Sequence, residues 1–202
     1  MDTGLNLAAL TVFALVSSIT PGPNTMLVMR SGARFGFAPT TPHVVGVEAG
    51  FAGIIVLAWL GVGVVLLSLP WAFPVLRWGC FAYLLWLAWK VLRDSGAVGA
   101  ANPDERPMSL ANAALFQLVN PKAWMMAVTG ITAFSTGGEV GATGLGTVVA
   151  IFVGIGTPCM FVWALWGAAI NRVLRRQAAR RTFNVAMSAV VALTALSTLR
   201  SP

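Results

Sequence analysis

The sequence contains few of the side chains that enzymes use for chemistry. Its 202 residues include one histidine, six acidic residues and two cysteines. No Ser/His/Asp set, paired carboxylates, zinc motif or phosphate-binding loop can be assembled from so few groups. Cys80 and Cys159 lie in apolar stretches, and their spacing suits neither a metal site nor a redox pair. The sequence therefore gives no reason to expect an enzyme, a cofactor or a bound metal.

Charge is also scarce, which excludes an ordinary soluble domain. Only 9% of the residues are charged and 57% are hydrophobic, and the mean hydropathy is +0.81. A helix needs about 20 apolar residues to cross a bilayer, and six stretches of about that length are present. We therefore predict an all-α membrane protein with six transmembrane helices. The six stretches are Leu5–Met29, Val44–Leu67, Val75–Leu92, Leu110–Phe134, Thr143–Ile170 and Phe183–Leu199.

The formal charge of +7 could indicate a nucleic-acid partner, but the positions of the basic residues indicate membrane topology instead. Most of them fall in three loops, which the positive-inside rule assigns to the cytoplasm. We therefore predict that both termini are periplasmic, that the lipid bilayer is the partner and that no nucleic acid binds. The loop residues are Arg30, Arg34, Lys90, Arg93, Arg106, Arg172, Arg175, Arg176, Arg180 and Arg181.

One polar segment divides the chain into two halves. Residues 94–108 read DSGAVGAANPDERPM, which is typical of a cytoplasmic loop. Residues 1–93 and 109–202 each contain three of the six predicted spans. Because three is odd, the second half must enter the membrane from the opposite side, as in an inverted repeat. We predict a single membrane domain, 1–202, built from two inverted three-helix repeats.

Proline motifs interrupt the first and fourth spans. TPGPN brings Pro21, Gly22, Pro23 and Asn24 into span 1, and NPK places Asn120, Pro121 and Lys122 in span 4. A proline inside a helix removes a backbone donor and leaves a carbonyl unpaired, which is costly in lipid. Secondary transporters build substrate sites at such breaks near the membrane midplane. The sequence leaves two interpretations open: a binding site between the breaks, or packing kinks that neighbouring helices accommodate.

Two ionisable residues also fall within predicted spans. Glu48 and Lys122 are functional candidates because an unpaired charge in a membrane is expensive. We expect Lys122 and the amides of the first break to bind a carboxylate. Glu48, with Asn24 and Asn120, would bind an ammonium group or carry a coupling proton. A structural Glu48–Lys122 ion pair, or a Glu48 side chain that reaches the cytoplasmic surface, stays an open alternative.

Three residues at the start of the second span add weaker hypotheses. His43 stands at its predicted cytoplasmic entrance, where it could relay protons or simply be amphipathic. Gly46 and Gly50 allow close helix packing, which suits either an internal contact or a homo-oligomer interface.

Four segments together resemble the LysE/RhtB family of bacterial amino-acid exporters. They are ITPGPNTMLVMRSGARFGF, VVGVEAGF, LRWGCFAYLLWLAWKVLRD and FQLVNPKAWM, and the resemblance covers essentially the whole chain. MSLANAALFQLVNPK and GIGTPCMFVWALWGAAINRVLRR resemble the branch that contains cysteine and O-acetylserine exporters.

The resemblance implies a six-helix inner-membrane protein that exports amino acids or close derivatives, driven by the proton gradient. By position, the helix-breaking motifs of the family fall on Pro21 to Asn24 and on Asn120 to Lys122. Many members have an aliphatic or small residue where this chain has Glu48, so the resemblance does not extend to that position. The alternative cargo is an inorganic cation or another small metabolite on the same fold, although the ligands for a metal are few.

Overall fold

The computed structural model describes residues 6–62, 68–93, 106–134, 140–173 and 177–200, and the regular structure within them is helical. Eight helices are described in this part of the chain. In chain order they are α1 (Leu7–Ile19), α2 (Pro23–Phe35), α3 (Phe37–Trp59), α4 (Ala72–Arg93), α5 (Leu110–Leu118), α6 (Pro121–Thr132), α7 (Ala142–Val173) and α8 (Gln177–Arg200).

Helix α3 begins seven residues before the position that hydropathy predicted. The expected start was Val44, whereas the helix begins at Phe37 and contains Pro42. Pro39 lies in the first turn, where a missing N–H interrupts no hydrogen bond. Gly36, with φ of 88°, is the single residue between α2 and α3, and it ends one helix and starts the next without a longer loop. As a consequence His43 lies inside the helix and is buried, rather than at an amphipathic entrance.

Within the described residues, two helices are long and apolar enough to cross a membrane by themselves. They are α3 and the Ala142–Ile170 part of α7. The pair α1 and α2 passes the same test as one span bent by 50°, which gives up to three candidate spans. This is fewer than the six that we predicted, so the six-helix inverted repeat stays a prediction.

Helices α3 and α7 lie at the centre of the described fold. Helix α7 packs against α1, α2 and α3, and α3 also packs against α5 and α6. Helices α4 and α8 pack mainly against each other and contact the rest through fewer residues. The central helices therefore position the residues of both chain interruptions, and the α4/α8 pair lies at the side.

Small residues let two pairs of helices approach closely. A Cβ atom on Gly32 of α2 would overlap the backbone of Ala164, and one on Gly167 of α7 would overlap the backbone of Met29 and Ala33. Gly46 and Gly50 of α3 likewise face the backbone of α5. The Gly46/Gly50 surface is thus an internal contact, which removes it as a candidate oligomer interface.

Candidate functional site

A cavity lies where the α1–α2 interruption faces the α5–α6 interruption. The first turn of α2, the centre of α3, the start of α6 and one side of α7 line it. Its volume is about 40 Å³, which is room for roughly three water molecules at 10–15 Å³ each. The lining residues are Ser17, Ser18, Gly22, Pro23, Asn24, Thr25, Val47, Glu48, Phe51, Asn120, Lys122, Ala123, Met126, Phe152, Gly156 and Met160.

The first interruption is short and carries its own hydrogen bonds. Helix α1 ends where the Thr20 N–H and hydroxyl both donate to the Val16 carbonyl, at 3.0 and 2.6 Å. Gly22, in extended conformation, caps α2, and Pro23 takes the first helical position. The Gly22 N–H donates to the Thr25 hydroxyl at 2.7 Å. The backbone groups released by the two prolines are therefore partly satisfied within the turn.

The second interruption is capped by a side chain. Asn120 is only 1% exposed, and its Oδ1 accepts from the Lys122 N–H at 3.1 Å. Pro121 follows at the first helical position of α6, so its missing N–H costs nothing there. The Asn-Pro pair thus starts a new helix inside the apolar stretch, which is how an asparagine cap normally works.

Lys122 connects the two interruptions. Its ammonium donates to the Thr20 carbonyl at 2.8 Å, at the C-terminal end of α1. A cation is stabilised there because the helix dipole places partial negative charge at that end. Gly22 leaves the space that the side chain occupies: a Cβ on Gly22 would lie 3.0 Å from Lys122 Cδ and Nζ. Lys122, at the start of α6, therefore caps the C-terminal end of α1.

A reciprocal amide pair forms a second connection. Asn24 Nδ2 donates to Gln117 Oε1 at 2.9 Å, and Gln117 Nε2 donates back to Asn24 Oδ1 at 3.2 Å. Gln117 is fully buried and also donates to the Ala113 carbonyl. Sequence reasoning missed Gln117, although a lone glutamine in the apolar run ALFQLV, one turn before Asn120, was the available signal. The pair fixes the start of α2 against the end of α5.

Glu48 reaches the cavity from α3 and is 6% exposed. Its Oε2 is buried without a hydrogen-bond partner among the described residues. Gly156 of α7 makes room for the carboxylate, because a Cβ there would lie 2.9 Å from Oε2. Glu48 and Lys122 line the same cavity. Both belong to the described part of the chain, and they do not form an ion pair with each other. A buried acceptor of this kind requires a proton, a cation or water.

His43 does not belong to this cavity. It is 1% exposed on α3, and its Nδ1 lies 2.9 Å from the Ser31 hydroxyl of α2. Its Nε2 has no hydrogen-bond partner among the described residues. His43 and Ser31 line a second cavity, which shares no lining residue with the first. The predicted site residues therefore separate into two groups.

The structure brings most of the sequence-predicted site residues together. Gly22, Pro23, Asn24, Glu48, Asn120 and Lys122 line the central cavity. Pro21 and Pro121 lie beside it and shape the chain without lining it. Among the residues that the structure describes, no three His, Cys, Asp or Glu side chains cluster closely enough to hold a metal ion.

Comparison with known proteins identifies relatives over most of the chain. The family of LysE type translocators matches residues 15–201. A cysteine/O-acetylserine efflux protein of Shigella flexneri is 29% identical over 178 residues, which cover 86% of this chain and 88% of the relative. The protein of the same name from Escherichia coli (strain K12) is 29% identical over 174 residues, which cover 84% of this chain and 86% of the relative.

No solved structure matches the chain. Because the family match extends over nearly the whole sequence, the chain belongs to the LysE type translocator family and is a transport protein rather than an enzyme.

Proposed function

We propose that this protein is a secondary transporter that exports amino acids or close derivatives across the bacterial inner membrane. The substrate would bind in the central cavity, between the Pro-Gly-Pro-Asn and Asn-Pro-Lys interruptions. The related efflux proteins, named for cysteine and O-acetylserine, support a small neutral amino acid as cargo. The proposed architecture is one membrane domain, 1–202, whose repeats 1–93 and 109–202 have opposite topology and whose termini are both periplasmic.

One observation carries the proposal: a carboxylate and an ammonium face one cavity without pairing. Among the described residues, Glu48 Oε2 is buried and has no hydrogen-bond partner, and the Lys122 ammonium binds a backbone carbonyl and no carboxylate. A zwitterion presents the complementary charges. Its ammonium would satisfy Glu48, and its carboxylate would meet Lys122 and the first turn of α2, where the helix dipole favours an anion.

The cavity must widen before such a substrate fits, because about 40 Å³ holds only a few waters. The hydrogen bond between Lys122 and Thr20 is the contact that would break when the cavity widens. An ammonium has three donors, so Lys122 can keep the carbonyl or turn toward a substrate carboxylate. Substrate binding would thereby weaken the contact between the two interruptions. The helices on either side of them could then move relative to each other.

Proton coupling is the second part of the proposal. Glu48 would bind a proton when no ammonium is present and release it when the substrate arrives, so that one site alternates between the two cations. His43, held by Ser31 in the second cavity, would pass protons on the α2/α3 side of the molecule. Both roles require exchange between buried groups and water, for which the two cavities provide the space.

The decisive experiment is uptake of radiolabelled amino acids into inverted vesicles that contain the protein, with and without an imposed proton gradient. We expect gradient-dependent accumulation of cysteine, O-acetylserine or another neutral amino acid, and none with the Lys122→Ala variant. If correctly folded protein accumulates no amino acid, the cargo is a different small solute.

The role of Glu48 is separated by comparing net transport with exchange. Because Glu48 is proposed to bind the ammonium and the coupling proton in turn, Glu48→Gln should abolish both gradient-driven accumulation and exchange of labelled for unlabelled substrate. Retained exchange would mean that another group binds the ammonium, and unchanged accumulation would exclude both roles. Glu48→Asp keeps the charge and is the matched control, for which we expect partial activity in both assays.

A further inference from the structure

The second cavity is larger and far more basic than the first. Its volume is about 470 Å³, and it lies between the end of α2, the start of α5 and one side of α4. Nothing in the proposed transport cycle uses its arginines. The lining residues are Leu27, Arg30, Ser31, Arg34, Phe35, His43, Tyr83, Trp86, Arg106, Pro107, Met108, Ser109 and Asn112.

Three guanidinium groups converge on this cavity. Arg30 and Arg34 lie one turn apart on α2, and Arg106 approaches from the segment before α5. Ser109, the N-cap of α5, also lines it, so the positive end of that helix dipole faces the same space. Three guanidinium groups and a helix N-terminus in one lining favour an anion.

The composition of the lining also discriminates between anions. A zwitterionic amino acid has no net charge, so a lining with three guanidinium groups favours it less than a net anion. A phosphate diester suits it better, because it carries a net negative charge and guanidinium forks bind its oxygens in pairs. His43, whose Nε2 is buried and has no partner among the described residues, adds a further polar group.

An apolar surface continues from the cavity along α4. Trp86 lines the cavity yet is 48% exposed, and Leu85, Trp89 and Leu92 extend the exposed face of the same helix. Exposed tryptophans beside basic residues are typical of the membrane interface. Arg93 stacks on Trp89 at 4.6 Å, at the same end of the helix as the cavity. A ligand with a phosphate and acyl chains would match both surfaces.

We propose that this cavity binds the phosphate of an acidic phospholipid headgroup, with the acyl chains along the exposed face of α4. The three arginines hold the phosphate, and Tyr83 and Trp86 form the boundary between headgroup and chains. Basic cavities between helices on the cytoplasmic side are suited to such headgroups. The phosphate site does not depend on the identity of the cargo, and it shares His43 and Ser31 with the proposed proton route.

The test is thermal unfolding of the detergent-purified, delipidated protein in the presence of short-chain phosphatidylglycerol. We expect a saturable rise in the unfolding temperature that phosphatidylcholine of the same chain length does not produce. Arg106→Gln and Arg34→Gln should each weaken the apparent affinity about tenfold, since each removes a charge-assisted hydrogen bond. Arg181→Gln, an exposed arginine outside the cavity lining, is the control and should leave the affinity unchanged.

Three results would overturn the proposal. Equal stabilisation by phosphatidylcholine would indicate an unspecific detergent-like effect. Saturation by inorganic phosphate alone would indicate a site for free anions. Competition by cysteine or O-acetylserine with the same dependence on Arg106 would make the cavity part of the substrate path. Arg106 is exposed, so we expect the Arg106→Gln variant to fold. This variant therefore still tests the site if Arg34→Gln fails to fold.

Discussion

The two interruptions of the chain differ in how each is stabilised. The α1–α2 interruption has Pro21, Gly22 and Pro23 and no side-chain cap at the start of α2, where Thr25 alone closes the turn. The α5–α6 interruption is shorter and is capped by Asn120. Lys122 of the second interruption donates a hydrogen bond to the first. From the first interruption, Asn24 donates a hydrogen bond to the helix that precedes the second.

This difference indicates that the two interruptions have different roles, one fixed and one able to move. The α5–α6 interruption is self-sufficient and holds its polar groups in place. The α1–α2 interruption depends on its counterpart through two contacts, Lys122 with Thr20 and Asn24 with Gln117. A segment that relies on long-range contacts is the one that ligand binding can release. We therefore expect α1 and α2 to move relative to each other during transport, about the Thr20–Gly22 segment.

The largest effect is expected from Lys122→Met, which keeps the length of the side chain and removes its charge. The Thr20 carbonyl would lose its cation, at a cost of about 1.5–3 kcal/mol for a hydrogen bond to a charged group. Substrate uptake into vesicles should be abolished, and thermal unfolding should occur at lower temperature. Wild-type uptake by this variant would show that the connection between the interruptions is dispensable.

Gly22→Ala tests the same contact from the opposite side. Its extended backbone accepts alanine, but the new methyl group would stand 3.0 Å from Lys122 Cδ and Nζ and displace the flexible side chain. We expect uptake to fall about tenfold and the unfolding temperature to fall by less than in Lys122→Met, because the lysine is displaced rather than removed. Gly53→Ala is the matched control, since a Cβ there meets nothing within 4 Å. Equal activity of the two variants would contradict the assigned role of Gly22.

The Asn24–Gln117 pair is suited to a double-mutant cycle. Asn24→Leu should destabilise the protein by about 1–3 kcal/mol, because it leaves the buried Gln117 amide without its partner, and Gln117→Leu should cost less, because Asn24 is only half-buried. The double variant should cost less than the sum, with a coupling of about 1 kcal/mol measured by denaturation. Strictly additive effects would mean that the reciprocal hydrogen bonds contribute nothing to stability.

Asn120→Ala should have the smallest effect of the four. The variant loses the cap of α6, which is worth about 1 kcal/mol, while Pro121 still starts the helix. Asn120→Asp keeps an acceptor at the cap and should recover most of the unfolding temperature. A loss as large as that of Lys122→Met would show that the second interruption is less self-sufficient than the comparison indicates.

Much of this arrangement follows from the sequence. Pro21, Pro23 and Pro121 predict the helix ends, because lipid cannot replace the lost hydrogen bonds. The apolar content predicts the helical class, and the two proline motifs together with Glu48 identify six of the residues that line the central cavity.

Other features depend on contacts that a linear pattern does not contain. The α3 start at Phe37 differs from the predicted Val44 because the prediction followed the apolar stretch alone, whereas the helix also includes the more polar residues before it, with Pro39 in its first turn. Gln117 was missed because its partner, Asn24, lies 93 residues away along the chain. The basic cavity was missed for a similar reason, since its arginines come from two distant parts of the chain, α2 and the segment before α5.

Substrate protection of a cavity residue tests the central claim most directly. Ser18 is buried and lines the cavity, so Ser18→Cys, in a chain without Cys80 and Cys159, places a thiol there. We predict that a transported amino acid slows alkylation of this thiol in membranes, while alkylation of a control cysteine at Asn112, in the second cavity, is unchanged. Unaltered alkylation of Ser18→Cys by an amino acid that the same variant transports would contradict a substrate site between the two interruptions.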